Sequence, residues 1–216
     1  EIIIGAVDFP GQPPSQGFRG KAYVISGPTG ATIYELNNPD LHHGQFGWSV
    51  AGAGDVDGDG ISDVIVGAPS WGRDSLNTAL NIGLVSVYSG ASGALLGQIE
   101  GPGPNKEFGN SVTSAGDLDG DGRAEILVGA WRADPGGVQD AGSVFVYKLN
   151  IAKGDLNGDG SLTSADVVLM LNCVFLGNGN CHTSFSDLNC DRALSPSDVV
   201  IELNAVFLSR TIPCAP

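Results

Sequence analysis

Four short segments of this chain place carboxylates at alternating positions: Asp55, Asp57, Asp59 and Asp63; Asp117, Asp119, Asp121 and Glu125; Asp155, Asp159 and Asp166; Asp187, Asp191 and Asp198. They hold 14 of the 24 acidic residues, and the other ten equal the ten lysines and arginines. Like charges at such spacing repel one another unless a cation lies between them. Alternation turns every second side chain to one side, and the interleaved glycines permit a sharp curl. Calcium takes about six to eight hard oxygens from such a loop, whereas magnesium prefers a small octahedron and keeps its waters, so calcium is the expected ion.

The ligands can be read position by position. Asp55, Asp57, Asp59 and Asp63 would contribute carboxylates and Ile61 a backbone carbonyl. Asp117, Asp119, Asp121 and Glu125 repeat this, with Arg123 giving the carbonyl. The third and fourth segments have the spacing of a loop that opens a helix. Asp155, Asn157, Asp159, the Ser161 carbonyl and Asp166 form one set. Asp187, Asn189, Asp191, the Ala193 carbonyl and Asp198 form the other, where Cys190 and Arg192 replace glycines. About four Ca2+ sites are expected.

Catalytic chemistry is not expected. There is no G-x-S-x-G elbow, P-loop, H-E-x-x-H or G-x-G-x-x-G after a strand, and nothing pairs a nucleophile with a histidine base. His42-His43 lacks an acid or cysteine at ligand spacing and reads as a surface turn. Trp71 and Trp131 each follow a Gly-Ala strand end, where they would stack on a glycan or pack between sheets. A net charge of −14 argues against nucleic acid. No apolar run approaches the roughly 18–20 residues of a membrane span. With 42% hydrophobic and only 16% charged residues, the chain is neither a disordered acidic tail nor a coiled coil.

Cys173, Cys181, Cys190 and Cys214 all lie near the C-terminal end, and residues 1–150 contain no cysteine. An even set in a small module predicts two disulfides and an oxidising, extracellular setting. Zinc is the rival, but there is no C-x-x-C pair and only His182 nearby. A chain that starts at Glu1 without Met reads as a processed or trimmed product.

Repeats show which elements must position the acids. EIIIGA (1–6), DVIVGAP (63–69) and EILVGAW (125–131) recur every 62 residues, and FGWSVAGAGDVDGDG (46–60) and FGNSVTSAGDLDGDG (108–122) keep that spacing. GKAYVISGPTGATIYEL (20–36) matches GLVSVYSGASGALLGQIE (83–100), and AGSVFVYKLN (141–150) matches its first half. The alternation predicts about four short strands per unit, the pattern of a propeller blade.

Phe46-Gly47 with Gly67-Ala68-Pro69, and Phe108-Gly109 with Gly129-Ala130, make residues 1–150 resemble the FG-GAP repeats of the integrin α-subunit propeller, with Trp131 where the family has Pro. One unit is complete, one lacks its front and one lacks its last strand, and a closed propeller needs at least four blades. Self-association, head to tail and into a filament or tube, is therefore expected. The alternative is a piece of a larger secreted enzyme or carbohydrate-binding protein with a closed propeller.

From about Ile151 the pattern changes. GDLNGDGSLTSADVVLMLNCVFLG (154–177) and SDLNCDRALSPSDVVIELNAVFLS (186–209) align at an offset of 32. Val167, Val168, Leu171, Val174 and Phe175 fall at helical spacing, as do Val199, Val200, Leu203, Val206 and Phe207. These tandem loop–helix units resemble a dockerin, which implies calcium in both loops and a cohesin-like partner recognised near Ser164-Ala165 and Pro196-Ser197. The expected fold is mainly β, with incomplete FG-GAP blades over 1–150 and a small α dockerin-like calcium-binding domain over 151–216.

Overall fold

The computed structural model describes residues 1–7, 20–37, 44–72, 80–149, 163–176, 188 and 195–208. The chain divides into two compact units, one of residues 1–56 and 60–148 and the other of residues 57–59 and 149–216.

The first unit contains three antiparallel sheets. Strands β1 (Ile2–Ala6), β2 (Lys21–Ile25) and β3 (Thr32–Asn37) form the first, in that order. Strands β4 (Ser49–Gly54), β5 (Asp63–Ala68), β6 (Leu84–Tyr88) and β7 (Leu95–Glu100) form the second. Strands β8 (Phe108–Gly116), β9 (Glu125–Ala130) and β10 (Ser143–Tyr147) form the third.

The 62-residue repeat is visible in the register. Ile2 pairs with Ile25, Val64 with Tyr88 and Ile126 with Tyr147. So β1, β5 and β9 are one strand of the repeat. The first sheet has no described counterpart of β4, and the third none of β7. Every residue of β5 and β6 is buried, as expected for central strands covered on both faces.

Glycine sets how closely the sheets approach. A Cβ on Gly5 would lie 1.9 Å from the Gly47 carbonyl oxygen, and one on Gly67 would lie 2.1 Å from that of Gly109. Gly20 and Gly83 meet the Phe46 and Phe108 carbonyls in the same way, through parallel bridges. Each Phe-Gly pair thus seats its backbone on two glycines of the preceding sheet while its ring enters the core. Phe46 packs edge-on to Tyr88 at 6.2 Å, with Ala22, Val24 and Leu36 from the first sheet in the same cluster. Phe108 meets Phe145 and Tyr147 at 5.7 and 5.8 Å.

The second unit holds α1 (Ser164–Leu171), extended by a π-helical turn over Asn172–Leu176, and α2 (Pro196–Leu208). Met170, Leu188 and Val199 form its core, with Val174, Ile201 and Ala205 against them. Not all of the expected apolar stripe is buried. Val168 and Phe175 are 56% and 62% exposed, and Val200 and Phe207 are 56% and 63% exposed. Cys173 is buried and disulfide-bonded. The expected positions Cys181, Cys190 and Cys214 lie outside the described residues, as does His42-His43.

Candidate metal centre

Two Asp-rich loops connect equivalent strands, residues 55–63 between β4 and β5 and residues 117–125 between β8 and β9. Their glycines sit where φ is positive, +81° at Gly58 and +84° at Gly60 in the first, +80° at Gly120 and +89° at Gly122 in the second. That region is strained for a residue with a Cβ, so these glycines allow each loop to turn back on itself.

The fold ties each loop in the same way. Val56 N–H donates to Asp63 Oδ2 at 2.7 Å, and Leu118 N–H donates to Glu125 Oε2 at 2.7 Å. Gly60 N–H donates to Asp55 Oδ2 at 2.9 Å, and Gly122 N–H donates to Asp117 Oδ2 at 2.9 Å. First and last acids of each loop are therefore fixed by backbone amides. Carboxylate oxygens of Asp55, Asp57 and Asp63 lie within 4.8 Å of one another, as do those of Asp117, Asp119 and Glu125. Among the described residues these are the two groups of three or more such side chains.

The donor chemistry fits a hard divalent cation. All six grouped side chains offer oxygen, and magnesium or calcium would take that set in preference to a soft metal. Glu125 adds a separate sign. It is buried, and its Oε1 has no hydrogen-bond partner while Oε2 is held by Leu118. A buried carboxylate oxygen without a donor is costly unless an ion takes that role.

The other sequence candidates are placed less centrally. Asp59 and Asp121 stand outside the two groups. Asp121 instead accepts from Arg123 N–H at 3.0 Å and pairs with Lys148. That ammonium, then the Arg123 amide, hold the Asp121 carboxyl below its ordinary range. Ile61 and Arg123 lie within the two loops, each two residues before the last acid of its loop, Asp63 and Glu125. Asp166 and Asp198 are fully buried. Asp166 Oδ2 accepts from Thr163 N–H at 2.8 Å, and Asp198 accepts from Leu188 and Ser195 N–H at 2.9 Å each. Asp155, Asn157, Asp159, Ser161, Asp187, Asn189, Asp191 and Ala193 lie outside the described residues.

Lys148 was not singled out from sequence. Its Nζ lies 2.6 Å from both Asp119 Oδ2 and Asp121 Oδ2, and those two contacts, in that order, push its pKa up. Ser26 and Ser89 occupy the corresponding positions of the repeat, which marks Lys148 as a departure without saying which acids it meets. The two tryptophans divide between the two alternatives. Trp71 takes the packing alternative, lying against the core with Nε1 buried and unpartnered. Trp131 is 53% exposed and donates to Glu107 at 2.8 Å, and Trp48, overlooked in the sequence, is 49% exposed.

Residues 46–88 and 108–147 match the FG-GAP repeat family. Integrin alpha pat-2 of Caenorhabditis elegans is 40% identical over 102 residues, covering 44% of this chain and 8% of that protein. Integrin alpha-E of Mus musculus is 33% identical over 132 residues, covering 53% of this chain and 11% of that protein. Integrin alpha-4 of Xenopus laevis is 32% identical over 128 residues, covering 54% and 12%. The chain thus spans 8 to 12% of the length of these relatives. Its first unit carries FG-GAP repeats similar to those of integrin α chains.

Proposed function

We propose that this is a secreted, non-enzymatic calcium-binding protein that works by association. The observation that carries the reading is the paired loop geometry: three carboxylates drawn together in each of two equivalent loops, with a buried Glu125 oxygen lacking a donor. Calcium would be held by Asp55, Asp57, Asp59, Asp63 and the Ile61 carbonyl, and by Asp117, Asp119, Asp121, Glu125 and the Arg123 carbonyl. The dockerin-like loops would hold two more, ending at Asp166 and Asp198. When bound, the ion supplies the positive charge that lets these acids remain close together. Two disulfides would staple the second unit, in keeping with an extracellular setting and with the integrin-like repeats.

The partner is another protein. Exposed apolar positions recur on both helices of the second unit, at Val168 and Phe175 and at Val200 and Phe207, which suits recognition by a cohesin-like domain. In the first unit, Ile2 and Ile4 of β1 and Val144 and Val146 of β10 are exposed. Strands of a second copy, joined head to tail, would cover them and could propagate into a filament. A second reading is favoured by the same uncovered strands: further blades of a longer secreted enzyme or carbohydrate-binding protein close a propeller. Trp48 and Trp131 leave a glycan as a minor ligand class for that reading.

Thermal melting of the full chain tests the calcium claim. Excess EGTA should lower Tm by roughly 10 °C or more relative to millimolar calcium, because binding to the folded state alone stabilises it. An identical melt in both solutions would refute it.

A further inference from the structure

Strand pairing closes each Asp-rich loop between its first and last acids. Gly54, before Asp55, pairs with Asp63, and Gly116, before Asp117, pairs with Glu125. Backbone peptides then join one loop to the other. The Asp55–Val56 peptide donates through Val56 N–H to Asp63 Oδ2 at 2.7 Å, and its Asp55 carbonyl accepts from Ala124 N–H at 2.7 Å. Ala124 N–H belongs to the Arg123–Ala124 peptide, whose carbonyl is the one expected as a ligand in residues 117–125. The last acid of one loop is thus connected to a ligand carbonyl of the other by two hydrogen bonds in series.

The surroundings make this connection stiff. Val56 and Ala124 are both buried. Gly54 has a φ of +79°, and a Cβ there would lie 2.5 Å from Ala124 Cβ and 2.9 Å from Ser114 Oγ. Only a glycine lets the strand end come this close. A cation that fixes the Asp63 carboxylate therefore also orients the Asp55–Val56 peptide, and through it the Arg123 carbonyl. The second loop then has less conformational freedom left to lose when it binds. Charge acts the other way, since one bound cation lowers the negative field at the other loop. Salt screens that field, over about 8 Å at 0.15 M and about 3 Å at 1 M, and leaves the backbone bonds in place.

We propose that residues 55–63 and 117–125 bind calcium cooperatively, coupled through the Asp55–Val56 and Arg123–Ala124 peptides. The inference rests on the calcium reading above, and by linkage the coupling is the same in both directions.

Amide exchange of the full chain, followed by nuclear magnetic resonance across a titration of free calcium at about 1 M salt, reads each loop separately. Asp55→Asn keeps an oxygen for Gly60 N–H but weakens the first site. It should raise the 117–125 midpoint about fivefold, the lower end of the usual coupling range. Asp117→Asn should raise the 55–63 midpoint by the same factor. In Asp117→Asn, calcium filling 55–63 should still slow exchange of the Ala124 amide. Midpoints that the variant in the opposite loop leaves in place or lowers, or an Ala124 amide indifferent to the filling of 55–63, overturn the proposal while both sites stand. Absence of calcium-dependent protection in one or both wild-type loops refutes the calcium reading there, and the proposal with it.

Discussion

Asp63 and Glu125 each serve the backbone and the loop's charge at once. One oxygen accepts from an amide seven residues earlier, at 2.7 Å in both loops, and the other faces elsewhere: Gly90 N–H at 2.9 Å for Asp63, no donor for Glu125. The alternation of acids made both loops legible from sequence, because like charges so closely spaced have few other physical explanations. Lys148 was not legible, because its partner acids are distant in sequence and only strand pairing brings it to them. Glu202 escaped notice for a related reason. At the repeat offset of 32 it stands where the first helix has Met170, so it fell on a helix face that reads as apolar. It is fully buried with neither oxygen hydrogen-bonded, and burial, then the Asp166 charge, push it up to about 8. Its proton is thus held more tightly in the folded form than in the unfolded chain, whose value is that of an ordinary glutamate. The associated stability is complete below about pH 4.5 and is lost as pH rises through 8. In calcium-free buffer, helix melting followed by circular dichroism should fall by roughly a few kcal/mol of stability across that window. Glu202→Met should flatten the dependence. A wild-type melt independent of pH from 5 to 8 would disprove the assignment.

Among elements, the glycines that set the approach of one sheet to the next are the most informative. Their 62-residue recurrence was visible in the sequence, but its cause was not, since a sequence does not say which glycine faces a carbonyl. Gly67 has the Gly109 carbonyl at 2.1 Å from where its Cβ would be, and backbone cannot give way cheaply. Gly129, its equivalent in the third sheet, has only Ser111 that close, at 2.2 Å through the hydroxyl end of a side chain. Gly67→Ala should therefore destabilise by about 1–3 kcal/mol or more, and Gly129→Ala by well under half as much, measured by urea unfolding in calcium. If another copy seats its strands on the third sheet, Gly129→Ala should also reduce the sedimenting oligomer while the monomer stays folded. Equal destabilisation by the two substitutions would show that Gly129 faces backbone as Gly67 does. The helices illustrate the opposite limit. Period 3.6 located both of them, yet it marked Val168, Phe175, Val200 and Phe207 as one face with the core, and the structure leaves all four more than half exposed. Apolar periodicity identifies a helix better than it identifies which apolar residues the helix buries.

For the whole molecule, the proposed function has calcium offset part of the net charge of −14, so that the strands similar to FG-GAP repeats are free to associate. The two loops that support it lie at equivalent points of the repeat, so they can be disabled together with little change to the sheets. Calorimetric titration of calcium into the full chain, beside an Asp55→Ala/Asp117→Ala double variant, tests this most directly. The wild type should bind two more equivalents than the variant, with both proteins showing the same β-sheet spectrum. Equal stoichiometry and affinity in the two proteins would contradict the account.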